Sequence, residues 1–240
     1  MVLQGRPVLG ILELDEGLAP ECLVPRKGSL LHPATFDCPV VWEIVEGVFA
    51  ETMVRGERSL KVEEACVAAA RRLVERGADI ISADCGFFVR YQAAVAAAVN
   101  VPVAMSSLLL VPTLLRQLSP IQKLAVITAD SRHCTYDLLE IEKPTDRSKV
   151  VVGGIEDGVY VPNALARPYV QTTVEQIESE VAACVAQLRV KHPEIGILLF
   201  ECTGFPSVKS AIRRMTGLPI YDITDLCRLT LASVTGPDLS

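Results

Sequence analysis

Apolar and polar positions along the chain form short strand-like runs that alternate with longer helical stretches. Six segments carry the clearest patterns: strand-like 7–15, 40–47, 123–131 and 149–155, and amphipathic helical 57–76 and 171–190. The weaker strand patterns at 40–47 and 149–155 are typical of strands near a sheet edge. Because strands alternate with helices in both halves, the pattern predicts parallel sheets covered by helices on both faces.

Two similar stretches organise the chain, "GADIISADCGFFVRYQAAVAAAVNVPV" around Cys85 and "EIGILLFECTGFPSVKSAIRRMTGLPI" around Cys202. Each contains an apolar run, an acidic residue and a cysteine, a helical segment and an apolar run that begins with proline. Cys85 and Pro102 are 17 positions apart, as are Cys202 and Pro219, so the copies are offset by 117 positions. The duplication predicts that each cysteine lies at the carboxyl end of a strand, where open α/β sheets bind ligands.

The repeat predicts the domain organisation. We expect an α/β protein of two similar doubly wound parallel-sheet domains, related by a pseudo-twofold axis, with the active site in the cleft between them. The first domain comprises 1–117 plus 222–240, and the second comprises 118–221. The chain is expected to cross between them near 116–122, and the helical tail after Tyr221 is expected to return to the first domain.

Composition narrows the function classes. A chain of 240 residues with 50% hydrophobic residues can build two small cores. A net charge of −6 without a Lys and Arg cluster argues against a nucleic-acid or membrane surface, which leaves a small-molecule substrate. The 8 cysteines lack disulfide or zinc spacings, and the first residues lack the features of a secretion signal. These features predict a cytoplasmic protein without a metal site.

The repeated cysteines carry the predicted chemistry. Backbone N–H groups and a helix dipole at a strand-to-helix junction favour a thiolate and lower its pKa. Two thiols on opposite walls of one cleft, roughly 6–9 Å apart, would remove and return a proton at a carbon next to a carboxylate. Cys85 and Cys202 are therefore the predicted catalytic residues. The other six cysteines are interpreted as small buried apolar residues: Cys22, Cys38, Cys66, Cys134, Cys184 and Cys227.

The paired cysteine segments, the Cys202-Thr203 pair and the turn from Thr128 to Ser131 resemble the aspartate/glutamate/hydantoin racemase superfamily. The resemblance covers nearly the whole chain. It implies a cofactor-independent racemase or epimerase that acts at a carbon alpha to a carboxylate or related carbonyl, on a carboxylic acid or an amino-acid-like substrate. Racemases of this group follow the first cysteine with Asn-Thr, whereas Cys85 is followed by Gly86. The match is to a little-characterised branch, and the resemblance does not supply the substrate.

Several further residues are candidates for the site. The substrate-binding candidates are Gly86, Phe87, Thr128, Ser131, Thr203, Gly204, Asp15 and Thr35. Hydroxyls at strand ends suit carboxylate binding, although ordinary turn capping is the alternative interpretation. Asp84 and Glu201 either orient a thiol or a substrate amine, or cap the following helix. An unscreened carboxylate at either position would raise the pKa of its thiol.

Thr35 and His32 lie in the irregular connection between Pro20 and Pro39, which is expected to form a loop over the site. Phe87, Phe88 and Phe205 are candidates for an apolar pocket around the reacting carbon, with at least one of them expected in the core.

Other reactions on the same scaffold stay open at this stage. A maleate-type cis-trans isomerase uses both cysteines. Malonate-type decarboxylase sites keep only the second one, so the presence of Cys85 argues against them. From a different class, the chain would be an inactive small-molecule binder, or a redox sensor with a reversible Cys85–Cys202 disulfide. Homo-oligomerisation is also open.

Overall fold

The computed structural model describes residues 6–17 and 24–235. The strands within these ranges are β1 Leu9–Glu13, β2 Val40–Ile44, β3 Ile80–Ala83, β4 Lys123–Thr128, β5 Val150–Gly154, β6 Ile195–Phe200 and β7 Ile220–Tyr221. The α-helices are α1 Ala50–Arg55, α2 Leu60–Glu75, α3 Gln92–Ala98, α4 Val111–Gln117, α5 Pro144–Arg147, α6 Tyr160–Leu165, α7 Val174–Lys191, α8 Lys209–Thr216 and α9 Ile223–Val234. Short 3-10 helices cover Gly86–Tyr91, Ser107–Leu110 and Phe205–Val208.

The strands form two parallel sheets with the same order of equivalent strands. The first sheet has the order β2-β1-β3, and the second has the order β5-β4-β6-β7. A parallel bridge between Ile81 and Val103 extends the first sheet at the position that β7 occupies in the second. The predicted class of two similar α/β units with parallel sheets is confirmed, and β2 and β5 lie at sheet edges as the sequence indicated.

Alternating residues of the strands pack into different cores. In β4, Leu124 and Val126 face a core shared with the first sheet, whereas Ala125 and Ile127 face a core built with α7. This alternation follows from the two-residue side-chain period of a strand. Because apolar residues occupy both faces, each sheet must be covered on both sides. The shared core joins the two sheets and fixes the position of one against the other.

The two long amphipathic helices begin a few residues after the predicted starts of 57 and 171. Ser59, the residue before α2, has extended backbone angles, so the helix begins only at Leu60. Helix α7 begins at Val174 because the Thr173 side chain accepts from the N–H of Gln176, and Gln176 returns a bond to the N–H of Thr173. This reciprocal pair satisfies two N–H groups that would lack partners at the helix start.

Helix α9 packs against the outer face of the first sheet. Its residues Ile223 and Leu231 share a core with Leu9 and Ile11 of β1 and Ile80 of β3. Asp222 caps the helix by accepting from the N–H groups of Thr224 and Asp225. Within the described part of the chain, none of the helices combines the length and the apolar character that a bilayer crossing requires.

Candidate active site

The two repeated cysteines line one cleft. Cys85 lies two residues beyond β3 and Cys202 lies two residues beyond β6, and in both segments a 3-10 helix follows within three residues. Both cysteines are free thiols and half-buried. Both thiols therefore lie at the same cleft. The separation of 6–9 Å between the sulfurs stays a prediction.

Tyr160 at the start of α6 is the direct polar partner of Cys202. Its hydroxyl oxygen lies 3.2 Å from the Cys202 Sγ, and its ring packs against Phe205 with centroids 5.7 Å apart. Burial raises the pKa of the Tyr160 hydroxyl well above its ordinary value, and a Cys202 thiolate would raise it further. The phenol therefore keeps its proton and can donate it in a hydrogen bond to a Cys202 thiolate.

The pKa values of both thiols are raised, contrary to the activation expected at the strand-to-helix junctions. Burial raises the pKa of Cys202 to about 12, and the charge of Glu201 adds to the rise. Burial and Glu201 also raise the pKa of Cys85 well above its ordinary value. The backbone N–H groups of Phe87 and Gly204 favour the thiolates, but they do not outweigh the loss of hydration.

Asp84 and Glu201 line the cleft beside the thiols. Glu201 Oε2 accepts from the Thr128 hydroxyl at 2.7 Å, whereas its Oε1 is buried without a hydrogen-bond partner among the described residues. Burial raises the pKa of each carboxyl to about 7, and the charge of Glu16 contributes to the shift at Asp84. In the described residues, neither carboxylate accepts from a backbone N–H, so the helix-capping interpretation is not supported.

Helices α1 and α6 contact each other and complete the cleft with apolar side chains, including those of Ala50, Val54 and Val161. The cleft has a volume of about 800 Å³, counting the space that opens to solvent. Glu16, Arg26 and Tyr169 also line the cleft, together with Ser29. The Arg26 Nη2 donates to the Tyr169 hydroxyl at 2.8 Å.

Four of these side chains were missed in the sequence: Glu16, Arg26, Tyr160 and Tyr169. Tyr160 could have been found, because α6 is the counterpart of α1 in the repeat and both helices line the cleft. Arg26 lies in the irregular connection after Pro20, where periodicity gives no information. Of the predicted loop over the site, 20–23 lies outside the described residues, including Cys22.

The predicted substrate-binding residues fall into two groups. Gly86, Phe87, Thr203 and Gly204 line the cleft with the cysteines. Four others do not line it, and their side chains make hydrogen bonds elsewhere: Thr128 to Glu201, Ser131 to Glu156, Asp15 to the N–H groups of Gly17 and Gly47, and Thr35 to the carbonyl of Ser29. Because none of these four side chains lines the cleft, their direct contact with substrate stays a prediction.

The remaining cysteines and the phenylalanines lie only partly where the sequence predicted. Cys66, Cys134, Cys184 and Cys227 are buried as expected, whereas Cys38 is only half-buried. Phe88 and Phe205 are completely buried core residues, and Phe87 alone of the three phenylalanines lines the cleft. His32 accepts from the N–H of Ala34 through its Nδ1, which is a local turn contact.

Gly86 is required by the close approach of the two cysteine segments. A Cβ at this position would overlap the Oε1 and the backbone oxygen of Glu201. We expect Gly86→Ala to lower the free energy of unfolding by about 1–3 kcal/mol, because a backbone atom cannot move aside as a flexible side chain can. Denaturant unfolding measures the loss.

Gly47→Ala is a comparison variant in which the added Cβ meets no neighbouring atom. Gly47 has a φ of 72°, and a Cβ there would meet no atom within 4 Å. Gly47→Ala should therefore cost only the left-handed backbone strain, about 1–2 kcal/mol. Wild-type stability in Gly86→Ala would show that the two segments can separate without cost.

Curated relatives identify the family. The chain is 30% identical over 243 residues to dimethylsulfoniopropionate lyase 3 of Emiliania huxleyi (strain CCMP1516), a match that covers 98% of this chain and 61% of the relative. It is 30% identical over 220 residues to the dimethylsulfoniopropionate lyase of Durusdinium sp. clade D, with 89% of this chain and 70% of the relative covered. The chain belongs to this lyase family. It spans only about three fifths of the length of the first of these relatives.

Solved structures with the same fold include a decarboxylase and a racemase. Arylmalonate decarboxylase aligns with a TM-score of 0.56 at 18% identity, covering 98% of this chain and 95% of the other. Allantoin racemase from Klebsiella pneumoniae aligns with a TM-score of 0.59 at 10% identity, covering 94% and 87%. No protein-family model matches the sequence. These neighbours share the two-sheet α/β fold of this chain, and at these identities they establish the fold alone.

Proposed function

We propose that this protein is a lyase that removes a proton alpha to a carboxylate and expels a sulfide from the β carbon. Dimethylsulfoniopropionate, the compound named in its relatives, is the proposed substrate. The observation that carries the proposal is the Cys202–Tyr160 pair, in which a protonated phenol lies 3.2 Å from a thiol that lines the cleft. This pair provides a base and a donor that stabilises its charged form.

In the proposed reaction, the Cys202 thiolate takes the proton from the α carbon. The electron pair of the C–H bond forms the carbon–carbon double bond, and the bond between the β carbon and sulfur breaks. Sulfur keeps the electrons of that bond and leaves as neutral dimethyl sulfide, and the organic product is acrylate. The leaving group needs no proton, so one base completes the reaction. The Cys202 thiol then returns its proton to water.

The raised thiol pKa is compatible with this reaction when substrate is bound. With a pKa of about 12, Cys202 is almost entirely protonated at neutral pH in the empty cleft. A sulfonium cation in the cleft would favour the thiolate electrostatically and lower this pKa. The Tyr160 hydroxyl and the Gly204 N–H act in the same direction. Substrate binding is therefore proposed to create the base that the reaction needs.

The proposed carboxylate-binding residues directly follow the two cysteines in the chain and line the cleft with them: Gly86, Phe87, Thr203 and Gly204. Backbone N–H groups there would neutralise the charge that develops on the carboxylate as the α proton leaves. Neither Asp84 nor Glu201 is proposed as a direct acid or base on the substrate, and Glu201 is proposed to act on the thiols.

Racemisation or epimerisation is the second candidate, favoured by the presence of a thiol from each half in the same cleft. A two-thiol reaction returns a proton to the face opposite the one from which it was taken. It therefore needs no leaving group. Cofactor independence is proposed for both reactions, since neither requires an electron sink beyond the substrate carboxylate.

Proton NMR in D2O distinguishes these reactions. With dimethylsulfoniopropionate, we expect vinyl signals of acrylate and the methyl signal of dimethyl sulfide to appear together in equal molar amounts. With chiral 2-substituted carboxylic acids, a racemase would instead exchange the α proton for deuterium and invert the centre. Exchange and inversion of such acids, without elimination from the sulfonium compound, would contradict the lyase proposal and favour the racemase.

A further inference from the structure

The cleft continues past Asp84 into a second chamber that has no cysteine among its described lining residues. Glu16, Arg26, Ser29, Asp84 and Tyr169 line both spaces, so the two are connected. A ligand whose reacting carbon lies at the thiols could therefore extend a second group into this chamber. The reaction steps assigned to Cys202 and Tyr160 do not use the chamber.

Three carboxyl groups meet in this chamber because of strand pairing. Glu13 ends β1 and Asp84 follows β3, and the two strands are neighbours with Leu12 paired to Ala83. Glu16 follows in the loop after β1. Glu13 is only 4% exposed, and its Oε1 has no hydrogen-bond partner in the described residues. An unpartnered carboxyl oxygen of this kind is costly to bury unless a ligand completes it.

The described lining residues of the chamber include three carboxyl groups and one guanidinium group. Burial raises the pKa of Glu13 well above its ordinary value, and the charges of Asp84 and Glu16 raise it further. Burial also raises the pKa of Glu16 to about 7, against the opposing effect of Arg26. Arg26 is the cation that lines the chamber within the described residues, and it faces three carboxyl groups. Tyr169 contributes an aromatic ring and a hydroxyl that already accepts from Arg26.

We propose that Glu13, Glu16 and Asp84 bind the cationic group of the substrate, an onium centre such as a sulfonium or a quaternary ammonium. This inference rests on the proposed function for the position of the α carbon at the thiols. An alkylated onium centre has no N–H to donate, so Coulomb attraction to carboxylates and contact with an aromatic face are the interactions that select it. The chamber therefore determines which carboxylic acids the enzyme accepts.

A matched pair of unreactive ligands tests the selection for charge. The ligand 3-(trimethylammonio)propanoate carries a quaternary nitrogen, and 4,4-dimethylpentanoate has a neutral carbon in its place with nearly the same shape. Isothermal titration calorimetry at pH 7 should give the cation at least about tenfold tighter binding. Titrations in two buffers of different ionisation enthalpy should show proton release with the cationic ligand alone, because the cation lowers the pKa of the carboxyl groups that face it.

Variants that remove a carboxyl group test whether Glu13 and Glu16 produce the preference for the cationic ligand. Glu13→Gln and Glu16→Gln should each reduce the cation preference by about tenfold and reduce proton release. Glutamine matches a protonated glutamate in shape, so the fold is expected to be retained, and circular dichroism checks this. Glu46→Gln, an exposed position beyond the end of β2, is the matched control and should leave both quantities unchanged.

The outcomes separate this inference from the proposed function. Equal affinity for the two ligands, a preference for the neutral one, binding of neither, or a cation preference unchanged in both variants would each overturn the onium site. Elimination activity without cation preference would overturn the onium site alone. Cation preference with proton release, in an enzyme that does not eliminate dimethyl sulfide, would support the onium site and overturn the proposed reaction.

Discussion

Replacing Cys202 by alanine is expected to lower the rate of dimethyl sulfide release by about 10²–10⁴-fold, the range typical for loss of a general base. The reason is that the Tyr160 hydroxyl oxygen lies 3.2 Å from the Cys202 Sγ. No side-chain hydrogen bond to Cys85 occurs among the described residues. Cys85→Ala should lose less activity, since sulfide leaves without a proton. Gas chromatography of released dimethyl sulfide measures both rates.

Two further variants test the role of the Tyr160 hydroxyl and provide a control for the loss of a thiol. Tyr160→Phe keeps the ring contact with Phe205 and removes only the hydroxyl, so it should retain part of the activity and shift its pH profile to higher pH. Cys38→Ala replaces a half-buried cysteine that does not line the cleft and serves as the control. If Cys85→Ala and Cys202→Ala were equally inactive, the single-base mechanism would be wrong and the two-thiol reaction would be favoured.

The free energy of unfolding is expected to fall as the pH rises from about 4.5 to about 7. Burial raises the pKa of Glu201 from 4.5 to about 7, so the folded protein keeps a proton that the unfolded chain releases. The stabilisation is fully present below the unfolded pKa and is lost as the pH rises through the folded pKa. For Glu201 the shift corresponds to about 3 kcal/mol. Glu13, Glu16 and Asp84 are shifted in the same direction.

Urea unfolding of wild type and Glu201→Gln at pH 4.5 and pH 8 measures this effect, since glutamine has no proton to lose. The difference in stability between the two pH values should be about 3 kcal/mol smaller in the variant. Glu194→Gln is a control of opposite sign, because a hydrogen bond from Lys123 lowers the pKa of Glu194. Equal pH dependence in wild type and Glu201→Gln would mean that folding does not raise the pKa of Glu201.

The paired strands and the cysteine positions could be predicted because they depend on local pattern and on the repeat. Both cysteines lie two residues beyond a strand, as the offset of 117 indicated. The orientation of the side chains at the strand ends could not be predicted. Thr128 is the last residue of β4, and its hydroxyl points to Glu201 and not into the cleft. A strand end fixes the place of a residue, whereas the sheet around it decides which face the residue occupies.

The raised pKa values of the two thiols could not be predicted from the sequence either. A cysteine before a helix predicts a lowered thiol pKa, but here the following helices are short 3-10 turns and the thiols are buried beside carboxyl groups. The clustering of Glu13, Glu16 and Asp84 depends on the pairing of β1 with β3, which joins residues about 70 positions apart. Burial and long-range pairing are properties of the assembled sheets.

The return of α9 to the first sheet has a consequence for synthesis on the ribosome. Leu9, Ile11 and Ile80 need Ile223 and Leu231 to cover them, and these residues leave the ribosome only after the entire second sheet has been made. The second sheet, from Lys123 to Tyr221, can complete its strands while the first still exposes an apolar face. A nascent chain that stalls before Ile223 should therefore bind chaperones through its N-terminal half.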